Sequence, residues 1–294
     1  MVSSTDLESS VNQLSTNVVL FASILLIALV LLALWVTKAK KKKLKLPVFV
    51  AMALLVTSTT LTISGATIYL NIKSATGGPV HWHADFEVWA CGNELELRDP
   101  RGVLSNKIGT PTLHGHNDKR IHLEGVPVSL PHDVSLGKFM NVVGGEINKN
   151  TLVVPINDKD FFENGPGEED GDGNGAPNPS LLDPFIKTER DGKVASFVSG
   201  QACGNNAAEV QVFVYNFDPE SKTYTQTKLT NPAEYAIARE SEVPPGDCVI
   251  FEFDTPKDRT SKLCKQYGVR DKVKCGQFGV TGDGRKICEN TEVR

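Results

Sequence analysis

Residues 18 to 36, VVLFASILLIALVLLALWV, and residues 47 to 72, PVFVAMALLVTSTTLTISGATIYLNI, contain no charged side chain. Each is long enough to cross the hydrocarbon core of a bilayer as a helix, which takes about 20 apolar residues. In hydrocarbon a helix satisfies every backbone N–H and C=O within its own segment. The front of this chain is therefore read as two transmembrane helices, 18–36 and 47–72, and the rest must fold outside them. Between the two stretches stand Lys38, Lys40, Lys41, Lys42, Lys43 and Lys45, whereas residues 1 to 17 hold no basic side chain. The positive-inside rule places the lysine loop, 37–46, in the cytoplasm and both flanking ends outside. The expectation is a multi-pass protein of the cell membrane with a short extracytoplasmic N-terminus, 1–17, and a large extracytoplasmic domain from residue 76. A cleaved signal peptide, with the lysine run as its basic region and a cut near Ala66 or Ala75, is the alternative. The complete apolar span upstream of that run argues against it.

The chain has 31 Lys and Arg and 35 Asp and Glu; the six loop lysines and the early acids Asp6 and Glu8 leave 25 basic and 33 acidic residues, a net charge of −8. A negative ectodomain disfavours nucleic acid as a partner and attracts cations. Its cysteines, Cys91, Cys203, Cys248, Cys264, Cys275 and Cys288, all lie beyond the second span. An even number restricted to that side predicts an oxidising compartment and up to three disulfides, whose pairing spacing alone does not choose. A zinc site built from the C-terminal cysteines would need a Cys-x-x-Cys pair, and there is none.

The ectodomain reads as β-rich, of α+β class. HWHADFEVWA, residues 81–90, alternates with Trp82, Ala84, Phe86, Val88 and Ala90 on one face and His81, His83, Asp85 and Glu87 on the other, the period of a strand with one buried face. Cys91-Gly92-Asn93 turns into Glu94–Leu97 as a hairpin. A second histidine-bearing strand runs through Arg120–Glu124, with His122 and Glu124 on one face and Ile121 and Leu123 inward. Ser135 caps a short helix, and Thr151–Ile156 is a further strand. Residues 163–180, ENGPGEEDGDGNGAPNPS, have no apolar pattern to bury and read as a linker between a histidine-rich β module, 76–162, and a second β-rich module, 181–256. Within the linker, Asp170–Gly175 copies the first half of a calcium-binding loop. Leu181 stands where the bidentate Glu belongs, so a solvated acidic loop is expected and not a calcium site. In the second module, Glu209–Asn216 and Cys248–Asp254 are strands. This arrangement weakly resembles a ubiquitin-like β-grasp, which implies a structural or interaction-bearing fold. The remaining segment, 257–294, is basic-rich and depends on disulfides for order.

All six histidines fall between His81 and His132. Five carry metal-ligand spacing: His81-Trp-His83, His114-Gly-His116, and His122. Imidazole is the commonest protein ligand for transition metals; the i, i+2 pair His81 and His83 on a strand presents two rings on one face, and the loop Leu113–Lys119 supplies His114 and His116 with the same spacing, together with Asp118. Neutral imidazoles with an occasional carboxylate suit Zn(II) or Cu(II), and the lack of methionine or free thiol nearby disfavours Cu(I). Asp85, Glu87, Asp118 and Glu124 are candidates for ligands or for partners that orient ring N–H groups. His132, between Pro131 and Asp133, reads as a loop residue.

HWHADFEVWACG, LHGHNDKRIHLEG and SLGKF in that order resemble a group of uncharacterised prokaryotic membrane-anchored envelope proteins. These carry an H-x-H-A strand, an H-x-H-[DN] loop and an I-H-x-E strand. The likeness covers about residues 80 to 140; it implies a membrane-anchored envelope protein and no particular activity. Three classes remain: a membrane-anchored protein that captures, stores or delivers a divalent metal; a metal-dependent enzyme; and an assembly module of the envelope with incidental histidines. No H-E-x-x-H, G-x-S-x-G, phosphate-binding glycine loop or Cys-x-x-Cys pair marks catalysis, which favours binding.

Overall fold

The computed structural model describes residues 4–101, 106–157, 179–218, 223–237, 246–265, 278–280 and 286–289. The chain divides into two compact units, one comprising residues 1–79 with 126–129, the other residues 80–125 with 130–294.

The first unit is a helical hairpin, α1 (Ser4–Lys38) and α2 (Lys42–Lys73). Residues 10–38 and 42–73 are each long and apolar enough to cross a membrane. Phe21, Ile24, Leu34, Leu46, Phe49, Leu61 and Ile72 are exposed. Helix begins earlier than the apolar run, and most of the lysines lie within the helix ends. Lys38 ends α1, Lys40 takes a left-handed backbone (φ 54°), and α2 already starts at Lys42. The turn is thus about as short as a helix hairpin allows.

The second unit is built on a ten-stranded mixed sheet. Its strands are β1 (Val80–Ala90), β2 (Asn93–Leu95), β3 (Ile108–Gly109), β4 (Leu113–Gly115), β5 (Arg120–Gly125), β12 (Glu209–Asp218), β13 (Thr223–Lys228), β14 (Asp247–Asp254), β15 (Phe278–Val280) and β16 (Lys286–Glu289). They run in the order β15-β16-β13-β12-β14-β1-β5-β4-β3, with β2 on β1. β1 is parallel to β14 and antiparallel to β5. The expected hairpin is present: Cys91 (φ 51°) and Gly92 (φ 79°) form a two-residue turn with Ala90 opposite Asn93, and positive φ at both central positions is what a tight hairpin of matching twist requires.

A four-stranded sheet, β6 (Glu146–Ile147), β7 (Thr151–Pro155), β9 (Gly192–Val198) and β8 (Ile186–Glu189) in that order, lies with α3 (Leu136–Val143) in the same hydrophobic core as the large sheet. A small ribbon pairs β10 (Ala202–Cys203) with β11 (Asn206–Ala207). Ser135 accepts from Lys138 N and so caps α3, as its position predicts. Phe86 meets Phe139 of α3 at 5.4 Å between ring centroids, and Phe253 meets Phe197 of the small sheet at 4.9 Å. Trp82, Phe86, Val88, Ile121, Leu123, Val249 and Phe251 complete this core.

Two sequence expectations change. Strands from both sides of residues 163–180 pair with one another: β7 with β9 across the segment, and β1 with β14. The two expected modules therefore share one unit, because backbone groups of each complete the other's ladder; most of the linker, including the calcium-like Asp170–Gly175, lies outside the described residues. Secondly, β1 is buried on both faces from Ala84 to Ala90. The residues after β14 cover its second face: Cys248 is bonded to Cys264, Tyr215 donates to Lys262 O at 2.8 Å, and Trp89, Phe213, Tyr215, Ile250 and both cysteines form a second small core. Cys91 is bonded to Cys203. Cys275 and the side chain of Cys288 lie outside the described residues. The strands behind the β-grasp comparison, β12 and β14, are antiparallel neighbours; between them the described residues hold β13 and a short 3-10 turn, Pro232–Glu234, but no α-helix.

Candidate metal centre

Three neighbouring strands, β1, β5 and β4, present their histidines on one face of the sheet. His83 is opposite His122 and His122 is opposite His114, so the three form a row across the strands. His81 and Glu124 are opposite each other in the next row. His114 lies on β4 and not in the expected loop, and His116 follows directly after that strand's end. Alternation places Ile121, Leu123 and Leu113 in the core, and the same alternation forces every one of these polar side chains to the opposite face. Register and period together turn five sequence-distant rings into one cluster.

The rings are in contact. His81 and His83 lie 4.6 Å apart between centroids, His83 and His122 4.7 Å, His114 and His116 4.8 Å, and His116 and His122 4.7 Å; His114 and His122 are parallel at 5.5 Å. Their donor atoms fall into two sets, each within 4.8 Å: His81, His83, His122 and Glu124, and His114, His116 and His122. His122 belongs to both.

Hydrogen bonds select which nitrogen of each ring carries a lone pair. His122 Nε2 lies 2.8 Å from Asp118 Oδ2. Although burial opposes it, the hydrogen bond from His122 leads the influences that hold the Asp118 carboxyl below its ordinary range. A carboxylate only accepts, so Nε2 donates and the lone pair of neutral His122 is at Nδ1. His116 Nδ1 is 2.9 Å from Asn106 O, which by the same reasoning leaves its lone pair at Nε2. His114 Nε2, 3.2 Å from that atom, then donates to it and leaves its own lone pair at Nδ1. His114 Nδ1 and His122 Nδ1 are buried and have no hydrogen-bond partner. Leaving a buried polar atom unsatisfied costs about 1–3 kcal/mol, and a bound cation would remove that cost.

Electrostatics favour the ligating forms of His114 and Glu124. Burial, with the Lys107 charge second, pushes the His114 pKa down to about 4. Glu124 is held below the usual carboxylate range: desolvation opposes this but is outweighed by the hydrogen bond and charge of the Lys107 ammonium, 3.1 Å from Oε2, with His114 and His81 adding to it. His81 Nε2 is 3.2 Å from Glu124 Oε1. Ligand imidazoles must be unprotonated and ligand carboxyls ionised, and those are the forms favoured at His114 and Glu124.

All five histidines expected at the site are brought together, with Glu124 among the donors and Asp118 behind His122. Asp85 and Glu87 share the strand face but are engaged elsewhere. Asp85 accepts from Arg120, its cross-strand neighbour, at 2.6 and 2.7 Å, and Glu87 accepts from Trp89 Nε1 and Lys265 N at 2.9 and 2.7 Å. Both are buried, and neither is in a donor set. His132 is exposed beside Asp133, away from the cluster. Sequence reasoning missed Asn106 and Lys107, which carry no spacing signal; they reach the site from the stretch before β3. No family model, curated protein or solved structure matches this chain.

Proposed function

We propose that this protein is anchored in the cell membrane by α1 and α2, with the lysine turn cytoplasmic, and that its β unit binds a divalent transition metal outside the membrane. His81, His83, His114, His116 and His122 supply the nitrogen donors and Glu124 an oxygen. The ion is Zn(II) or Cu(II), since nitrogen and carboxylate donors suit both and the nearest cysteines in sequence are locked in disulfides. Capture, storage or delivery of the ion is the role that fits a ligand cluster with no accompanying catalytic motif. A single observation carries this reading: His116 and His122 each have one ring nitrogen tied to a carbonyl or carboxylate, which leaves the other as a directed lone pair. That is the outer-shell arrangement typical of metal-binding histidine.

Calorimetric titration of the full-length protein with Zn(II) and Cu(II) tests it. Replacing His83 or His116 with Ala is expected to weaken binding by at least about tenfold, since even loss of an outer-shell partner costs about 10–100-fold. His132→Ala should leave affinity unchanged. Equal affinities in all three variants and the wild type, or no binding by the wild type, would overturn the proposal.

A further inference from the structure

The donor count exceeds what one ion uses. A tetrahedral ion takes four ligands, whereas this face presents five imidazoles and Glu124, divided into two sets that meet only at His122. His122 is on the central strand of the three, in register with His83 on one side and His114 on the other. Imidazole has two nitrogens on opposite edges of the ring, so a single side chain can ligate two ions at once. On these grounds, and resting on the metal-binding reading above, we infer that the cluster is a two-ion centre in which His122 bridges as an imidazolate.

The two positions differ in kind. On the β1 side, His81, His83, Glu124 and His122 complete four-fold coordination, the closed shell of a holding site. On the β4 side, His114, His116 and His122 supply three ligands and leave a fourth position open to water or to an incoming donor. The β1-side set includes the exposed His81, whereas His114 is fully buried. Bridging requires both His122 nitrogens: Nδ1 already presents a lone pair, and the Nε2 proton faces the Asp118 carboxylate, which takes it over as an ion occupies that nitrogen and passes it to solvent. Two divalent ions sit against the negative charges of Glu124, Asp118 and the imidazolate, so the centre is close to neutral overall. Lys107, paired with Glu124 in the metal-free protein, is displaced into solvent.

Full-length apo-protein in detergent, titrated with Cu(II) and followed by equilibrium dialysis and electron paramagnetic resonance, tests the proposal. Two equivalents per chain are expected, with the isolated Cu(II) signal growing over the first and collapsing into an exchange-coupled one over the second. His81→Ala with Glu124→Gln, and separately His116→Ala, should each reduce the stoichiometry to one and abolish the coupling. His122→Gln should abolish coupling and weaken both positions, while circular dichroism checks that it folds. One equivalent in the wild type, or two equivalents with uncoupled signals, would overturn the bridged pair and leave metal binding intact. No bound copper and no bound zinc would overturn both readings.

Discussion

Glu87 shows at the scale of one side chain how the covered half of the sheet differs from the metal face. Burial, then repulsion from Glu94, raises its pKa to about 7, against hydrogen bonds from Trp89 and Lys265. In the unfolded chain it titrates near 4.5, so between about pH 4.5 and 7 the folded state holds a proton that the unfolded state has lost. The stability this contributes is complete below about pH 4.5 and is lost as pH rises through about 7. At about 1.4 kcal/mol per pKa unit the change is on the order of 3 kcal/mol. Urea unfolding of the wild type and Glu87→Gln, followed by tryptophan fluorescence, should show the wild type losing stability relative to the variant between pH 5 and 8. A pH-independent difference would contradict this account. The position of Glu87 on the face was legible from alternation. Its burial was not, because Lys265, whose N–H reaches its carboxyl, lies 178 positions away in the sequence.

Among elements, the residues from the end of β14 to Lys265 act as a strap over the second face of the sheet. Cys248–Cys264, the Tyr215 hydroxyl on Lys262 O and the Lys262 ammonium over the Trp89 ring hold it down. The disulfide closes a loop of 16 residues, for which the chain-entropy estimate is about 3 kcal/mol. Cys264→Ser is expected to lower the unfolding free energy by roughly that amount and to shift tryptophan emission to the red as Trp89 meets water; unchanged emission would refute the strap. Non-reducing peptide mapping should recover Cys91–Cys203 and Cys248–Cys264 as linked pairs. Local elements were readable where a local rule applied. The alternation of β1, the Cys91-Gly92 turn and the Ser135 cap all depend on residues within a few positions. Pairing was not readable: β1 beside β14 joins segments far apart in sequence, and nothing in either strand names its partner. The metal row shares this limit, since spacing revealed the His81/His83 and His114/His116 pairs, whereas the alignment of His83, His122 and His114 is a property of the β1–β5–β4 register.

For the whole molecule, an apolar helical hairpin precedes a β unit that carries disulfides and a histidine cluster. A cysteine placed at Ser4 should be labelled by a membrane-impermeant reagent from outside intact cells, and one at Ala39 should be protected; the reverse pattern would put the β unit on the reducing side and contradict both the disulfides and the topology. The two apolar helices were legible because their length and lack of charge are written directly in consecutive residues. The unity of the β region was not, because an acidic, glycine-rich stretch reads alike whether it separates two modules or joins strands within one. The central claim is that the histidine face binds metal. Full-length protein loaded with Zn(II) or Cu(II), freed of excess by gel filtration and analysed for metal and sulfur together, measures it most directly. The account predicts at least one retained ion per chain for the wild type and none when His83, His116 and His122 are all replaced by Ala; equal metal content in the two proteins, or none in either, would contradict it.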